Sequence, residues 1–300
     1  MEKVIVITGP TGVGKTKISI EIAKKLQTEI INGDAYQIYQ KMNIGTAKPT
    51  KEELAMVKHH FFDFQDPLKE FSVSDYQKAI RELIVEFKQK KMVPLIVGGT
   101  GLYIDSVIRN YQFLAPKRND DNKYDHLSNH ELHELLQKLD FQASLQIHEN
   151  NRKRVLRAIE LTTTQENSTR TLKNEFVYDT LLIFLNTDRT VLYERINNRV
   201  DKMIEEGLVD EVKNLYPNGL GMTAKPAIGY KELFEYFDGN ITLEDAIQKI
   251  KQNSRHYAKR QMTWYRNQEN TKIVNVNLDN TQETIDEILD LIHNHLKEAN

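Results

Sequence analysis

Gly9-Pro10-Thr11-Gly12-Val13-Gly14-Lys15-Thr16 sets three glycines, a lysine and a hydroxyl at the spacing of a P-loop. Such a loop turns successive backbone N–H groups inward around an anion, and the helix behind it adds the positive end of its dipole. Lys15 then neutralises the outer phosphates, and the Thr16 hydroxyl is placed to hold a magnesium ion. The flanking residues supply the elements this loop needs. The apolar run Val4-Ile5-Val6-Ile7 predicts a strand before it, and Ile18, Ile22 and Leu26 share one face of a predicted helix after it. A phosphate or diphosphate site is therefore expected at Gly9 to Thr16. The same pattern is an ATP-binding motif, and the loop alone does not say whose phosphates it holds.

A second chemically capable group is Asp34, which follows the short predicted strand Glu29-Ile30-Ile31-Asn32. If that strand lies beside the first in a parallel sheet, its carboxylate reaches the P-loop mouth, where it can organise a metal or accept a proton. An Asp at a strand end also makes Asx turns and helix caps, and position does not separate these roles. Ser74 is expected to cap a helix carrying Ala79, Ile80, Leu83, Ile84 and Phe87. A third strand, Val93 to Val97, runs into Gly98-Gly99-Thr100-Gly101. Many P-loop NTPases place a magnesium-organising Asp at such a strand end. The glycines here instead allow close backbone approach of a ligand. His59 and His60, adjacent in an extended segment, face opposite ways and cannot share a metal.

The elements point to an α/β fold: a P-loop NTPase-like parallel sheet core flanked by helices, with a small helical insertion. The core is expected over residues 1–113 and 180–300, and the insertion over 114–179. In the insertion Arg152, Lys153, Arg154 and Arg157 crowd together, with Val155, Leu156, Ile159 and Leu161 as the expected buried face. The core resumes with a strand at Leu181 to Leu185 and a helix from Val191 to Glu206 that carries Arg195 and Arg199 one turn apart. Later strand and helix patterns fall at Ile273 to Val276 and Ile285 to Leu296. Of 300 residues 39% are hydrophobic and 28% charged, as in a folded globular protein, and no apolar run suffices for a bilayer. There is no cysteine, which excludes disulfides, thiol catalysis and Cys-ligated zinc, and no secretory signal pattern; a cytoplasmic location is expected. With a formal net charge of −2, any nucleic-acid site must be a local patch. One candidate is Ile247 to Asn267, 21 residues without Asp or Glu, where lysines and arginines alternate with Tyr257, Trp264 and Tyr265.

Several stretches in order carry a family resemblance. They are the P-loop, Asp34-Ala35-Tyr36-Gln37-Ile38-Tyr39, Asn43-Ile44-Gly45-Thr46-Ala47-Lys48-Pro49, and Val97-Gly98-Gly99-Thr100-Gly101-Leu102-Tyr103. After these come Arg199-Val200-Asp201-Lys202-Met203 with Gly207-Leu208, Ala227-Ile228-Gly229-Tyr230-Lys231-Glu232, and Tyr257-Ala258-Lys259-Arg260-Gln261-Met262-Thr263-Trp264-Tyr265-Arg266. In these the chain resembles, over nearly its whole length, the bacterial tRNA dimethylallyltransferases (tRNA isopentenyltransferases). The resemblance implies transfer of a dimethylallyl group from dimethylallyl diphosphate to N6 of the adenosine 3′ to the anticodon, the base being flipped from its stack into a channel. It implies that Gly9, Pro10, Thr11, Gly12, Val13, Gly14, Lys15 and Thr16 hold the diphosphate, with Mg²⁺ on Thr16. Lys15 and Arg199 then stabilise the leaving pyrophosphate, Asp34 is the base, and Thr100 contacts the reacting nucleotide or that base. The implied tRNA contacts are Asp34, Ala35, Tyr36, Gln37, Thr100, Lys153, Arg154, Val155, Leu156, Arg157 and Pro226 to Lys231, on the anticodon stem-loop. Ala35 stands where the family usually has Ser, Asn43 where it commonly has Asp, and the insertion is shorter than usual. The expected state is a cytoplasmic monomer. An alternative of another class is an isopentenyltransferase acting on free adenine nucleotides, which needs no basic surface of this extent.

Overall fold

The computed structural model describes residues 1–113, 122–163, 175–266, 268 and 270–298. Among these, β1 (Lys3–Thr8), β2 (Ile30–Asn32), β3 (His59–His60), β4 (Leu95–Gly98), β5 (Asp179–Asn186) and β6 (Thr271–Asn275) form one sheet in the order β3-β2-β4-β1-β5-β6. Every pairing is parallel. A parallel sheet is covered on both faces, so its central strands read as unbroken apolar runs rather than alternating ones. Val4, Ile5, Val6 and Ile7 are accordingly all fully buried, as are Leu182 to Leu185 in β5.

The topology corrects one expectation. β2 does not lie beside β1, because β4 is inserted between them, with Ile5 and Ile30 both in register with Leu95. Asp34 reaches the P-loop mouth by another route. Gly33 N–H donates to Val97 O at 2.8 Å and Thr100 N–H to Gly33 O at 3.2 Å, which folds the end of β2 over the end of β4. Contact is so close that a Cβ on Gly98 would stand 2.1 Å from the Gly33 carbonyl carbon.

Helix α1 (Lys15–Leu26) begins at Gly14, which is left-handed with φ 103° and offers no side-chain cap. The first N–H groups of α1 are thus left to an incoming anion. α2 (Lys51–Met56), not foreseen, carries its own capping box, Thr50 with Glu53. α3 (Val73–Gln89) is capped by Ser72 rather than Ser74, because Ser72 and Asp75 exchange backbone and side-chain hydrogen bonds. α4 (Gly101–Ile108) follows β4. Beyond the insertion, α8 (Arg189–Glu205) is capped by Asp188, and Gly207 starts α9 (Leu208–Leu215). α10 (Tyr230–Phe237), α11 (Leu243–Arg266) and α12 (Thr281–Lys297) complete the chain. The acid-free run is therefore the greater part of one long helix. A second apolar cluster joins α8 to α11 to Ile38, Tyr39 and Met42.

The chain divides into two compact units, Met1–Arg109 with Phe176–Asn300, and Asn110–Glu175. The junctions fall before the expected 113/114 and 179/180. Arg109 bridges Phe176 through its backbone and lays its guanidinium over the Phe176 ring at 4.2 Å, which closes the larger unit at that pair. The smaller unit has its own core, in which α5 (Asn129–Leu139), α6 (Phe141–Gln146) and α7 (Arg152–Thr163) bury Leu132, Leu136, Ala143, Val155 and Ile159. Among the described residues no helix is long and apolar enough to cross a membrane.

Gly98→Ala drives a methyl group into the Gly33 backbone, which cannot yield as a side chain can. A loss of about 3 kcal/mol or more in urea unfolding is expected, near or beyond the usual range for overpacking. Gly239→Ala, at a positive φ (75°) but in open space, should cost only about 1–2 kcal/mol.

Candidate active site

The strand ends of β1, β2 and β4 open on one cavity of about 600 Å³. Its wall includes Gly12, Lys15, Thr16, Asp34, Gly98, Gly99, Arg199, Tyr257, Arg260 and Gln261. Ligands in open parallel sheets bind at such carboxyl ends, because there the loops diverge and helix N-termini converge. Of the residues expected to do chemistry, Lys15, Thr16, Asp34 and Arg199 all line this one cavity. Thr100 is not part of the wall, but its hydroxyl lies 3.4 Å from that of Tyr257, which is.

Lys15 Nζ donates to Gly9 O at 2.8 Å and Pro10 O at 3.0 Å, so the loop's own carbonyls hold it in place. Burial lowers its pKa to about 8; Asp34 opposes that shift and Arg199 adds to it. Arg199 is likewise pulled down by burial and supported by Asp34. Burial pushes the Asp34 carboxyl above its ordinary range, against a hydrogen bond from the Tyr36 backbone, the charge of Lys15, the Gln37 backbone and the charge of Arg199. Both readings of Asp34 hold together. Oδ1 accepts Tyr36 N–H at 2.9 Å in an Asx turn, while the carboxylate still faces the cavity.

Thr100 Oγ1 accepts Ala35 N–H at 3.1 Å and lies 3.4 Å from the Tyr257 hydroxyl. The backbone of Ala35 makes this contact, so the small side chain there does not break it. At Asn43 the amide oxygen accepts Lys48 Nζ at 2.9 Å, a bond the commoner Asp could also accept. Gln37 is not turned outward: its Nε2 donates to Thr46 O and Ala47 O at 3.1 and 3.0 Å.

Several residues support the site through contacts that the sequence did not indicate. Arg195 Nε donates to Gly12 O at 2.9 Å and steadies the P-loop from α8. The Glu211 carboxylate accepts the N–H groups of Asn43, Ile44 and Gly45 and the Tyr230 hydroxyl, at 2.6 to 3.2 Å, and so holds the 43–49 loop against the cavity. Gly45 must be glycine there, since a Cβ would meet the Tyr230 ring at 2.5 Å. His60 pairs with Glu29 and His59 Nδ1 bonds Val57 O at 2.7 Å, as structural roles require, yet His59 also lines the cavity. Only packing around α2 could reveal that.

The two basic segments are less free than their composition suggests. Val155 is fully buried in the insertion core, so its side chain cannot contact RNA; Arg157 pairs with Glu160, and Lys153 and Arg154 are exposed. Arg152 is spent on the carbonyls of Leu127 and Tyr124. Along α11, Lys249, Lys251 and Arg255 bond Glu235, Asp201 and Asn197, and Tyr265 is core. His256, Lys259, Arg260, Thr263 and Trp264 form a shallow surface groove.

A metal has a limited donor set here. Among the described residues no three His, Cys, Asp or Glu side chains converge as a cage. The Thr16 hydroxyl beside a phosphate loop fits magnesium, which keeps several waters and takes the rest of its oxygens from substrate phosphates.

A parallel sheet whose first strand passes through a P-loop into a helix, with cations and a carboxylate gathered at its mouth, defines a P-loop NTPase-like α/β protein. Residues 37–268 match the family model described as IPP transferase. A tRNA dimethylallyltransferase of Anoxybacillus flavithermus is 50% identical over 274 residues, 89% of this chain and 88% of that one. Another from Halalkalibacterium halodurans is 44% identical over 281 residues, 90% of each chain. The crystal structure of the full-length tRNA isopentenylpyrophosphate transferase of Bacillus halodurans superposes with a TM-score of 0.76 at 42% identity, covering 99% of this chain and 97% of that one. A eukaryotic dimethylallyltransferase acting on tRNA gives a TM-score of 0.82 at 26% identity, covering 98% and 80%. The chain belongs to the tRNA dimethylallyltransferase (IPP transferase) family.

Because Lys15 titrates near pH 8 and a bound anion favours its charged form, affinity for inorganic pyrophosphate should fall as pH rises through about 8. In Lys15→Arg that decline should disappear, since a guanidinium does not titrate there. Calorimetry across pH 6.5 to 9.5, roughly spanning that pKa, compares the two.

Proposed function

We propose that this protein transfers the dimethylallyl group of dimethylallyl diphosphate to N6 of the adenosine 3′-adjacent to the anticodon of tRNA, giving N6-isopentenyladenosine and pyrophosphate. The observation that carries the reading is a single cavity in which a carboxylate of raised pKa faces a lysine and an arginine at the rim of a phosphate loop. Family membership supports it, and the relatives named above are named for tRNA rather than for free adenine nucleotides.

The P-loop N–H groups and Lys15 bind the diphosphate, and Arg199 faces the same charge. Ile196 packs 3.3 Å from where a Gly12 Cβ would stand, and with Val200 and Met203 it offers apolar wall beside that loop for the allyl group. N6 of adenine attacks C1 of the allyl chain, the C1–O bond breaks, and its electron pair leaves with pyrophosphate. The amino lone pair is delocalised into the ring, so loss of its proton must accompany bond formation. Asp34 accepts that proton, and its raised pKa makes it a better base than an exposed carboxylate. Lys15 and Arg199 meet charge as it grows on the leaving group, which is where electrostatic stabilisation lowers the barrier. Thr16 would hold magnesium, which when bound supplies further neutralisation of the pyrophosphate. The exposed Lys153 and Arg154, and the groove of α11 with Lys259, Arg260 and Trp264, are suited to the RNA backbone and bases. A monomer working in the cytoplasm accords with this reaction.

Purified protein with magnesium, dimethylallyl diphosphate and tRNA lacking the modification should yield N6-isopentenyladenosine on nucleoside mass spectrometry. Unmodified tRNA with prenylated AMP or ADP would overturn the choice of acceptor. Asp34→Ala should lower turnover by about 10²–10⁴-fold while tRNA affinity stays within about threefold. Normal turnover in that variant removes Asp34 as the base.

A further inference from the structure

We infer that Gln261 is a positioning residue whose side-chain amide fixes the distance between the phosphate loop and the Gly98-Gly99-Thr100 turn, and hence between the leaving group and the acceptor-side groups. The inference rests on the reaction proposed above.

Gln261 is 4% exposed in α11 and reaches into the gap between two loops. Its Oε1 accepts Thr11 N–H at 2.9 Å and its Nε2 donates to Gly99 O at 2.9 Å. One bond needs an acceptor and the other a donor, so the two ends of the amide cannot be exchanged. The β1–β4 pairing ends at Thr8 opposite Gly98, and Gln261 continues the connection past the last pair. α11 is a firm post for this purpose, since Ala258, Met262 and Tyr265 around Gln261 are buried in the main core. One turn earlier on the same face, Tyr257 places its hydroxyl 3.4 Å from Thr100 Oγ1.

Gly99 is fitted to this tie. A Cβ there would stand 2.1 Å from Gln261 Nε2, so the residue must be glycine for the amide to enter. Gly99 lies outside the left-handed region, and alanine is therefore allowed by its backbone. The sole severe obstacle is the end of a flexible side chain, which would be pushed aside. Gly99→Ala and Gln261→Leu should thus break the same connection from its two ends. The chemical step requires N6, C1 and the departing oxygen near one line, and misplacement by an ångström can cost about a hundredfold.

The test measures kcat, both KM values, pyrophosphate affinity and melting temperature for Gln261→Leu, Gly99→Ala and the double variant, with wild type alongside. Each single variant should lose about 10–100-fold in kcat with both KM values and pyrophosphate affinity within about threefold. The double variant should be no worse than the poorer single one, since each removes the same tie. Unchanged kcat in folded Gly99→Ala overturns the inference, as does multiplication of the two losses in the double variant. A wild type that makes no isopentenyladenosine overturns the proposed reaction itself, and with it the role of Gln261.

Discussion

Lys15, Arg199 and Asp34 meet in one cavity, and each would be less stable there alone. Burial pulls Lys15 and Arg199 towards neutrality and does the same to Asp34 from the other side. Each carboxylate–cation attraction offsets part of that desolvation, so the group is tolerable only as a set. Lys17, Lys231 and Arg260 also line that cavity against Glu53, which leaves an excess of positive charge aimed at whatever enters. The same low dielectric that makes the cluster costly also makes its interactions with a developing charge strong.

Such a cluster needs a frame that keeps its members apart and aligned, and much of the geometry of the loops serves this purpose. Arg195 and Gln261 hold the P-loop from two helices. Gly33 and Gly98 bring β2 and β4 into contact tighter than any side chain would permit, which carries Asp34 across the intervening strand. Glu211 fills the ring of N–H groups at 43–45 and so holds the far wall. The glycines and the polar ties act as pairs: each glycine makes room for a partner that would otherwise clash.

The family relatives give the cavity its context, since a P-loop usually accompanies nucleotide chemistry. Here β4 ends in Gly-Gly-Thr rather than an Asp, and the described residues gather no acidic metal cage. Of the two carboxylates on the cavity wall, Asp34 and Glu53, Asp34 is the one whose charge bears on both Lys15 and Arg199, and it is the one the proposed reaction uses.

Read alone, the sequence determined most of the core elements and the phosphate loop, though neither α2 nor α4. Periodicity is a local property, so β1, β4, β5 and the helices after β1 and β5 followed from apolar spacing, and the loop from glycines at fixed spacing before Lys15 and Thr16. Asp34 was legible as a candidate but undecided between turn and base, and the family resemblance was needed to choose. Tertiary structure decided what depends on distant residues meeting. It inserted β4 between β1 and β2, a matter of pairing energy spread over the sheet. It turned Arg152 onto the carbonyls of Leu127 and Tyr124 although the local composition marked a basic surface, while Val155 lies buried as its spacing predicts, because the small insertion needs its own core. It gave Gln261, Arg195 and Glu211 their roles, since a hydrogen bond between residues 250 positions apart, as from Thr11 to Gln261, leaves no mark in local sequence spacing.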